Sequence, residues 1–264
     1  MASAARRWLY RLCSGEWPER KYGADGKPIH DALTPPPLHS LYRRRGIGSL
    51  LSRHFNRAYY YSIEQTVYDT RWLGTTTVKY PTDLWAYQEL ISEQRPDFIV
   101  ETGTYLGGSA LFLASICEAL GHGEVISIDV ASGEYGPLPE HARISYLKGS
   151  SVDPGVVAEV RARVSESANV MVILDSLHTR DHVLSELRTY APLVPLGGWL
   201  IVEDTNVNGH PVLPEWGPGP MEAVDAYIRE EPALAIDRGR EKFMLTSNPR
   251  GFLRRTGSAG PARD

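Results

Sequence analysis

Between Pro81 and Phe252 the apolar positions follow two periods that alternate along the chain. Leu84, Tyr87, Leu90 and Ile91 recur at helical spacing. Phe98-Ile-Val-Glu is then a short apolar run of strand length. Gly108 to Leu120 reads as a helix stopped by Gly121. Glu124–Val130 and Ile144–Lys148 read as strands. Pro154 to Val164 reads as a helix with Asp153 at the N-cap and proline at the first position. Asn169–Asp175 is almost wholly apolar before its final acid, the pattern of a central parallel strand. A helix over Thr179–Tyr190, a strand over Trp199–Asp204 and a helix over Met221–Glu230 follow. Lys242–Thr246 and Gly251–Arg254 suggest a closing hairpin around Asn248-Pro249.

Strands alternating with helices predict a doubly wound, Rossmann-like α/β sheet over residues 81–255. Residues 1–80 carry clustered prolines, many Arg and Tyr, and no such alternation. They read as an extension of helices and loops, without strands, able to cover a site on the main domain. Residues 256–264 read as a disordered tail.

Open α/β sheets bind ligands beyond the carboxyl ends of their strands. The residues at those ends are Glu101, Asp129, Asp175, Glu203 and Asp204, all acidic. Composition adds little to this picture. The 264 residues are 42% hydrophobic and 23% charged, with a formal net charge of -4. That balance gives no basic face for nucleic acid. No apolar run approaches the roughly 18–20 residues of a membrane span. Cys13 and Cys117 are too few for a disulfide framework and fit a cytoplasmic protein. The Arg-rich start lacks the apolar stretch of a secretory signal and reads as a short amphipathic helix. A homo-oligomer is compatible with all of this.

The first strand leads into Glu101-Thr-Gly-Thr-Tyr-Leu-Gly-Gly-Ser. Gly103 permits a sharp turn, and Gly107 and Gly108 permit close helix packing. The spacing is G-x-x-x-G-G, not the GxGxxG dinucleotide fingerprint. An acid stands where a pyrophosphate would lie, which favours a ligand with a cationic centre such as S-adenosylmethionine (SAM). Asp129, ending the second strand, suits a ribose diol. Ser150 and Ser151 after the third strand either reach an adenine or cap the next helix.

Asp175-Ser-Leu-His178 follows the fourth strand and Glu203-Asp204 the fifth, placing three carboxylates in one crevice. Packed like charges need a cation or raised pKa values, and an all-oxygen donor set suits Mg²⁺. If a helix starts at once, Asp175 and His178 share a face, and a neutral imidazole there is a general base. His178 and His182 stand at the spacing of a zinc helix, but Thr179 replaces the glutamate of a protease. An Asp181-His182 iron site is a weaker alternative.

Together these segments resemble the cephalosporin hydroxylase / rhamnosyl O-methyltransferase family. The resemblance rests on KYPTDLWAYQELI, ETGTYLGGSALFLA, VISIDV, LKGSSVDP, VILDSLH and GGWLIVEDTNVNG, from Lys79 to Phe252. It implies a Mg²⁺-dependent methyltransferase, similar at Asp-x-x-His and Glu-Asp to macrolide-sugar O-methyltransferases. It implies metal ligation by Asp175, Glu203 and Asp204, and His178 as base beside Asp175. Motif and resemblance together put Glu101, Gly103, Tyr105, Gly108, Ser109, Asp129, Ser150, Ser151 and Asp175 around SAM. The expected acceptor is a sugar hydroxyl, such as a rhamnosyl hydroxyl, of a glycosylated natural product in antibiotic or other secondary metabolism. A catechol acceptor, with Trp and Tyr of residues 59–87 as an aromatic pocket, is an alternative. So is a SAM-binding helper of a partner oxygenase. An NAD-dependent oxidoreductase is disfavoured by Glu101 and the glycine spacing.

Overall fold

The computed structural model describes residues 47–257. The expected N-terminal amphipathic helix and most of the tail lie outside them. The chain divides into compact units at residues 1–52 and 53–264. Of the first, the described part is the start of helix α1 (Ile47–Tyr61).

The larger unit is a seven-stranded sheet. Its strands are β3 (Phe98–Thr102), β4 (Glu124–Asp129), β5 (Ile144–Lys148), β6 (Val170–Leu174), β7 (Trp199–Val202), β8 (Leu234–Ile236) and β9 (Phe252–Arg255), in the order β5-β4-β3-β6-β7-β9-β8. The five strands from β5 to β7 are parallel, while β9 runs antiparallel to β7 and to β8. The chain enters at β3, winds outward to β5, then returns to lay β6 on the other side of β3. That reversal opens a crevice beyond the ends of β3 and β6, the usual ligand position in such sheets.

Alternation within each strand serves two cores. Val100, Val172 and Leu174 face α4 (Pro154–Arg163), α5 (Arg180–Tyr190) and α6 (Pro220–Glu230) through Val160, Leu187 and Val224. Ile99, Met171 and Ile173 face α2 (Pro81–Gln94) and α3 (Gly108–Leu120) through Leu90, Ile91 and Leu113. Both faces are therefore covered, which is why β6 is apolar at all five positions. Asp153 caps α4 as expected, accepting from the amides of Gly155 and Val156. Gly121 ends α3 in the left-handed conformation.

Two expectations are corrected. The closing hairpin does not use Lys242–Thr246; β9 pairs with Leu234–Ile236 instead. The polar groups of the 244–248 stretch are engaged elsewhere. Thr246 O accepts from Asn56 Nδ2 at 2.6 Å, and Ser247 N donates to the buried Asp83 at 2.8 Å. The stretch before Pro81 also contains strands, β1 (Arg71–Trp72) and β2 (Thr75–Thr76), paired antiparallel around a tight turn. Leu73 and Gly74 both have positive φ there, as a two-residue hairpin turn requires. Trp72 docks the hairpin on α3, edge-on to Phe112 and hydrogen-bonded to Ser115. Among the described residues, no helix is long and apolar enough to cross a membrane.

Candidate active site

The strand-end acids are held by backbone bonds that continue the sheet ladder. Gly103 N donates to Ile128 O at 2.8 Å, Asp175 N to Thr102 O at 3.0 Å, and Glu203 N to Leu174 O at 2.9 Å. Adjacent strands thus carry their acids outward side by side. The β3 and β6 loops have no clearance between them: a Cβ on Gly103 would stand 1.9 Å from Asp175 O, and its φ is +90°. Gly108 is equally confined, its would-be Cβ 2.2 Å from Thr76 O in the β1–β2 hairpin.

Asp175, His178 and Asp204 converge, by a different local route from the one expected, and Glu203 joins them only through Lys79. The 175–179 segment is a loop, and α5 begins only at Arg180. The loop nevertheless folds His178 Nε2 to 3.1 Å from Asp175 Oδ1, with Nδ1 3.6 Å from Asp204 Oδ2. One ligand atom each from Asp175, His178 and Asp204 fall within 4.8 Å of one another. Asp204 adopts a left-handed backbone, φ +50°, and its amide donates to Asn248 Oδ1.

Glu203 is set apart from this group. Lys79, buried just upstream of α2, places Nζ against Asp175 and 2.7 Å from Glu203 Oε2. Glu203 Oε1 is buried without a hydrogen-bond partner. Burial alone would depress Lys79, but Asp175, Glu203 and Glu101 outweigh it and keep the ammonium charged. Burial, then Asp175, push Glu203 well above the ordinary carboxylate range. Burial would raise Asp175, yet Lys79 and His178 hold it low. Burial would likewise lower His178; Asp204 and Asp175 overcome it and raise the imidazole to about 9. A base role therefore needs the negative charge around His178 to be reduced.

On the cofactor side, Glu101 is fully buried and accepts from Ser127 Oγ at 2.6 Å, with Oε1 unpartnered. Burial raises its pKa, while Lys79 and the Ser109 and Ser127 hydroxyls counteract. Ser109 is buried at the start of α3. Asp129 holds the loop around it, accepting from Tyr105 N at 2.9 Å and Ala131 N at 2.8 Å. Tyr105, also at positive φ, lies 5.0 Å ring-to-ring from Tyr135, and both are exposed. Ser150 stays in the turn before α4, its Oγ 3.5 Å from Val152 N. The Ser151 hydroxyl points away from a free role, donating to the buried Glu186 of α5 at 2.6 Å. Ser176 donates to the same Glu186 oxygen at 2.7 Å, and His182 Nε2 lies 3.0 Å from Ser176 Oγ. His182 therefore belongs to this network and not to the acid cluster, which removes the zinc-helix reading.

Sequence reasoning missed Lys79, Glu186 and Ser176. Lys79 stands inside the KYPTD motif but carries no pattern pointing to partners 96 and 124 residues away.

The rhamnosyl O-methyltransferase/CmcI family model matches residues 64–256. The rhamnosyl O-methyltransferase of Mycobacterium tuberculosis (strain H37Rv) is 37% identical over 208 residues, covering 77% of this chain and 84% of the relative. That of Mycobacterium leprae is 38% identical over 188 residues, covering 70% and 82%. A solved CmcI structure with Mg and SAM superposes with a TM-score of 0.56 at 23% identity, over 72% of this chain and 78% of that one, a likeness of fold. The chain belongs to the rhamnosyl O-methyltransferase/CmcI family and is a SAM-dependent O-methyltransferase.

Proposed function

We propose that this enzyme methylates a sugar hydroxyl, rhamnosyl by its relatives' names, on a glycosylated small molecule, using a divalent cation. The observation that carries the reading is the charge balance at the strand ends. Four buried or half-buried carboxylates, Glu101, Asp175, Glu203 and Asp204, face two cationic side chains, Lys79 and His178. Acids packed this closely either keep protons, as the raised Glu203, Asp204 and Glu101 do without an ion, or take up a cation. The orphaned Glu203 Oε1 and the clustered oxygens of Asp175 and Asp204 fit a hard, oxygen-liganded cation such as Mg²⁺. Asp175, Glu203 and Asp204 are the proposed ligands. When bound, such an ion supplies Lewis acidity that makes an alcohol easier to deprotonate.

This chain's residues supply the rest. His178 Nε2–H donates to Asp175, which fixes the ring and leaves Nδ1 to take the acceptor's proton. Neutralising Asp175 and Asp204 removes the two influences that keep His178 protonated. Glu101 and Asp129, with Gly103, Tyr105, Gly108 and Ser109 shaping the loop, are proposed to hold SAM. Ser150 and Ser151 border it, Ser151 through Glu186. Residues up to 80 are proposed as the acceptor-side extension and 81–255 as the catalytic domain, in a cytoplasmic enzyme of secondary metabolism.

The test is calorimetry with S-adenosylhomocysteine, with and without Mg²⁺, followed by turnover on rhamnosides and catechols. Expected are rhamnoside methylation, its loss in excess EDTA, and a drop of at least 100-fold in His178→Ala with S-adenosylhomocysteine binding retained (general-base loss is worth about 10²–10⁴). Turnover of catechols alone would establish the phenol reading. Full activity in EDTA would overturn the cation.

A further inference from the structure

Beside the acid cluster, the 204–219 loop carries a tryptophan whose exposure and anchoring have no part in the reading above. Trp216 is 47% exposed, yet its indole N–H donates to the backbone carbonyl of His178 at 2.8 Å. The same stretch is tied again where Arg180 N donates to Pro218 O at 3.0 Å. On its other flank Leu213 N donates to the Tyr61 hydroxyl at 3.1 Å. Leu177, next to His178, is 57% exposed. Tyr60, one residue before Tyr61, lies close enough to Asp204 for that charge to help raise its pKa.

An exposed indole costs free energy in water, and this one is not loose. Its nitrogen edge is fixed to the backbone carbonyl of the residue proposed as base, which holds the indole beside that residue with about half of its surface open to solvent. A pyranose ring offers an indole one face of C–H groups, and a 6-deoxysugar adds a methyl. Aromatic faces bind such surfaces through dispersion and apolar burial. Hydroxyls at the ring edge stay free to reach the acids.

We propose that Trp216 is the platform on which the acceptor sugar stacks, with Leu177 taking the sugar's apolar edge, so that this rim sets acceptor specificity. The inference rests on the sugar reading above. It makes Trp216 a specificity-determining residue that has no part in proton transfer.

The probes are methyl α-L-rhamnopyranoside and 4-nitrophenyl α-L-rhamnopyranoside. Trp216→Leu should raise KM for both about tenfold or more, change kcat less than twofold, and leave the S-adenosylhomocysteine Kd unchanged. Trp216→Phe should fall between. Indole emission should change on adding rhamnoside to the wild-type enzyme, and that change should vanish in Trp216→Phe, a readout independent of the leucine variant's folding. Wild-type enzyme active on rhamnosides, with KM unaltered in Trp216→Leu and the same emission change in Trp216→Phe, would overturn the platform alone. Wild-type enzyme inactive on both rhamnosides would overturn the sugar reading and the platform with it. A change of oligomeric mass in Trp216→Leu with KM unaltered would assign this face to a subunit contact and overturn the platform.

Discussion

Lys79→Met removes the one lysine within the acid cluster while retaining most of the side chain's volume. Its side chain is 4% exposed and its ammonium touches Asp175 and Glu203. Removing one partner of a buried ion pair costs roughly 3–5 kcal/mol, because the other charge is left uncompensated. At about 2–4 °C per kcal/mol for a domain of this size, the melting temperature in EDTA should fall by roughly 6–20 °C. The sign of the pH dependence follows from the acids. Without Lys79, Glu203, already raised by burial and Asp175, rises further, and Asp175 loses the main influence that holds it low. The folded state then holds protons that the unfolded state has released, so stability falls as pH rises through that interval. The deficit should be large at pH 8 and narrow toward pH 4. Mg²⁺ should restore more stability to the variant than to the wild type, since ligand binding to the folded state adds RT ln(1 + [L]/Kd). Thermal unfolding in EDTA and in excess MgCl₂ at both pH values measures all three effects. A deficit under about 1 kcal/mol, or one indifferent to pH and Mg²⁺, would refute the view that Lys79 serves as a counter-charge.

Three further outcomes are expected. Gly103→Ala places a methyl 1.9 Å from Asp175 O at a φ of +90° and should cost more than about 3 kcal/mol in urea unfolding. Asp83 is pushed up to about 6, mainly by burial, from 3.8, while the Thr246 and Ser247 groups pull against it. Stability should therefore fall as pH rises from about 4 to 6, and Asp83→Asn, which can still accept from Ser247, should flatten that decline of roughly 3 kcal/mol. Glu186→Leu leaves the Ser151 and Ser176 hydroxyls without their shared acceptor and should weaken S-adenosylhomocysteine binding severalfold by calorimetry, with Glu186→Gln close to wild type.

The sheet was legible because β3, β4, β6 and β7 are mostly apolar runs that end at or beside an acid. The acids at their ends were legible for the same reason: a charge closing an apolar run has only the sheet edge to occupy. The hairpin over Lys242–Thr246 misled because residue pattern does not reveal competition for backbone groups, and here Asn56 and Asp83 claim them. The helical face assumed for Asp175 and His178 turned out to be a loop, yet the two side chains still meet. Lys79 and Glu186 escaped notice because their meaning lies in partners brought together only by the fold.

The last rungs of the ladder have a consequence for how such an enzyme changes its chemistry. The amides of Asp175 and Glu203 still bond to the neighbouring strand, so the backbones that carry those carboxylates keep the strand repeat of about 4.8 Å. That interval is a gauge cut into the sheet itself, indifferent to the loops around it. The rim from Leu213 to Pro218, by contrast, is largely exposed and is tied back by bonds at Leu213, Trp216 and Pro218. Grafting a different rim should therefore alter which molecule is admitted while leaving the spacing of the strand ends that carry the acids as it was.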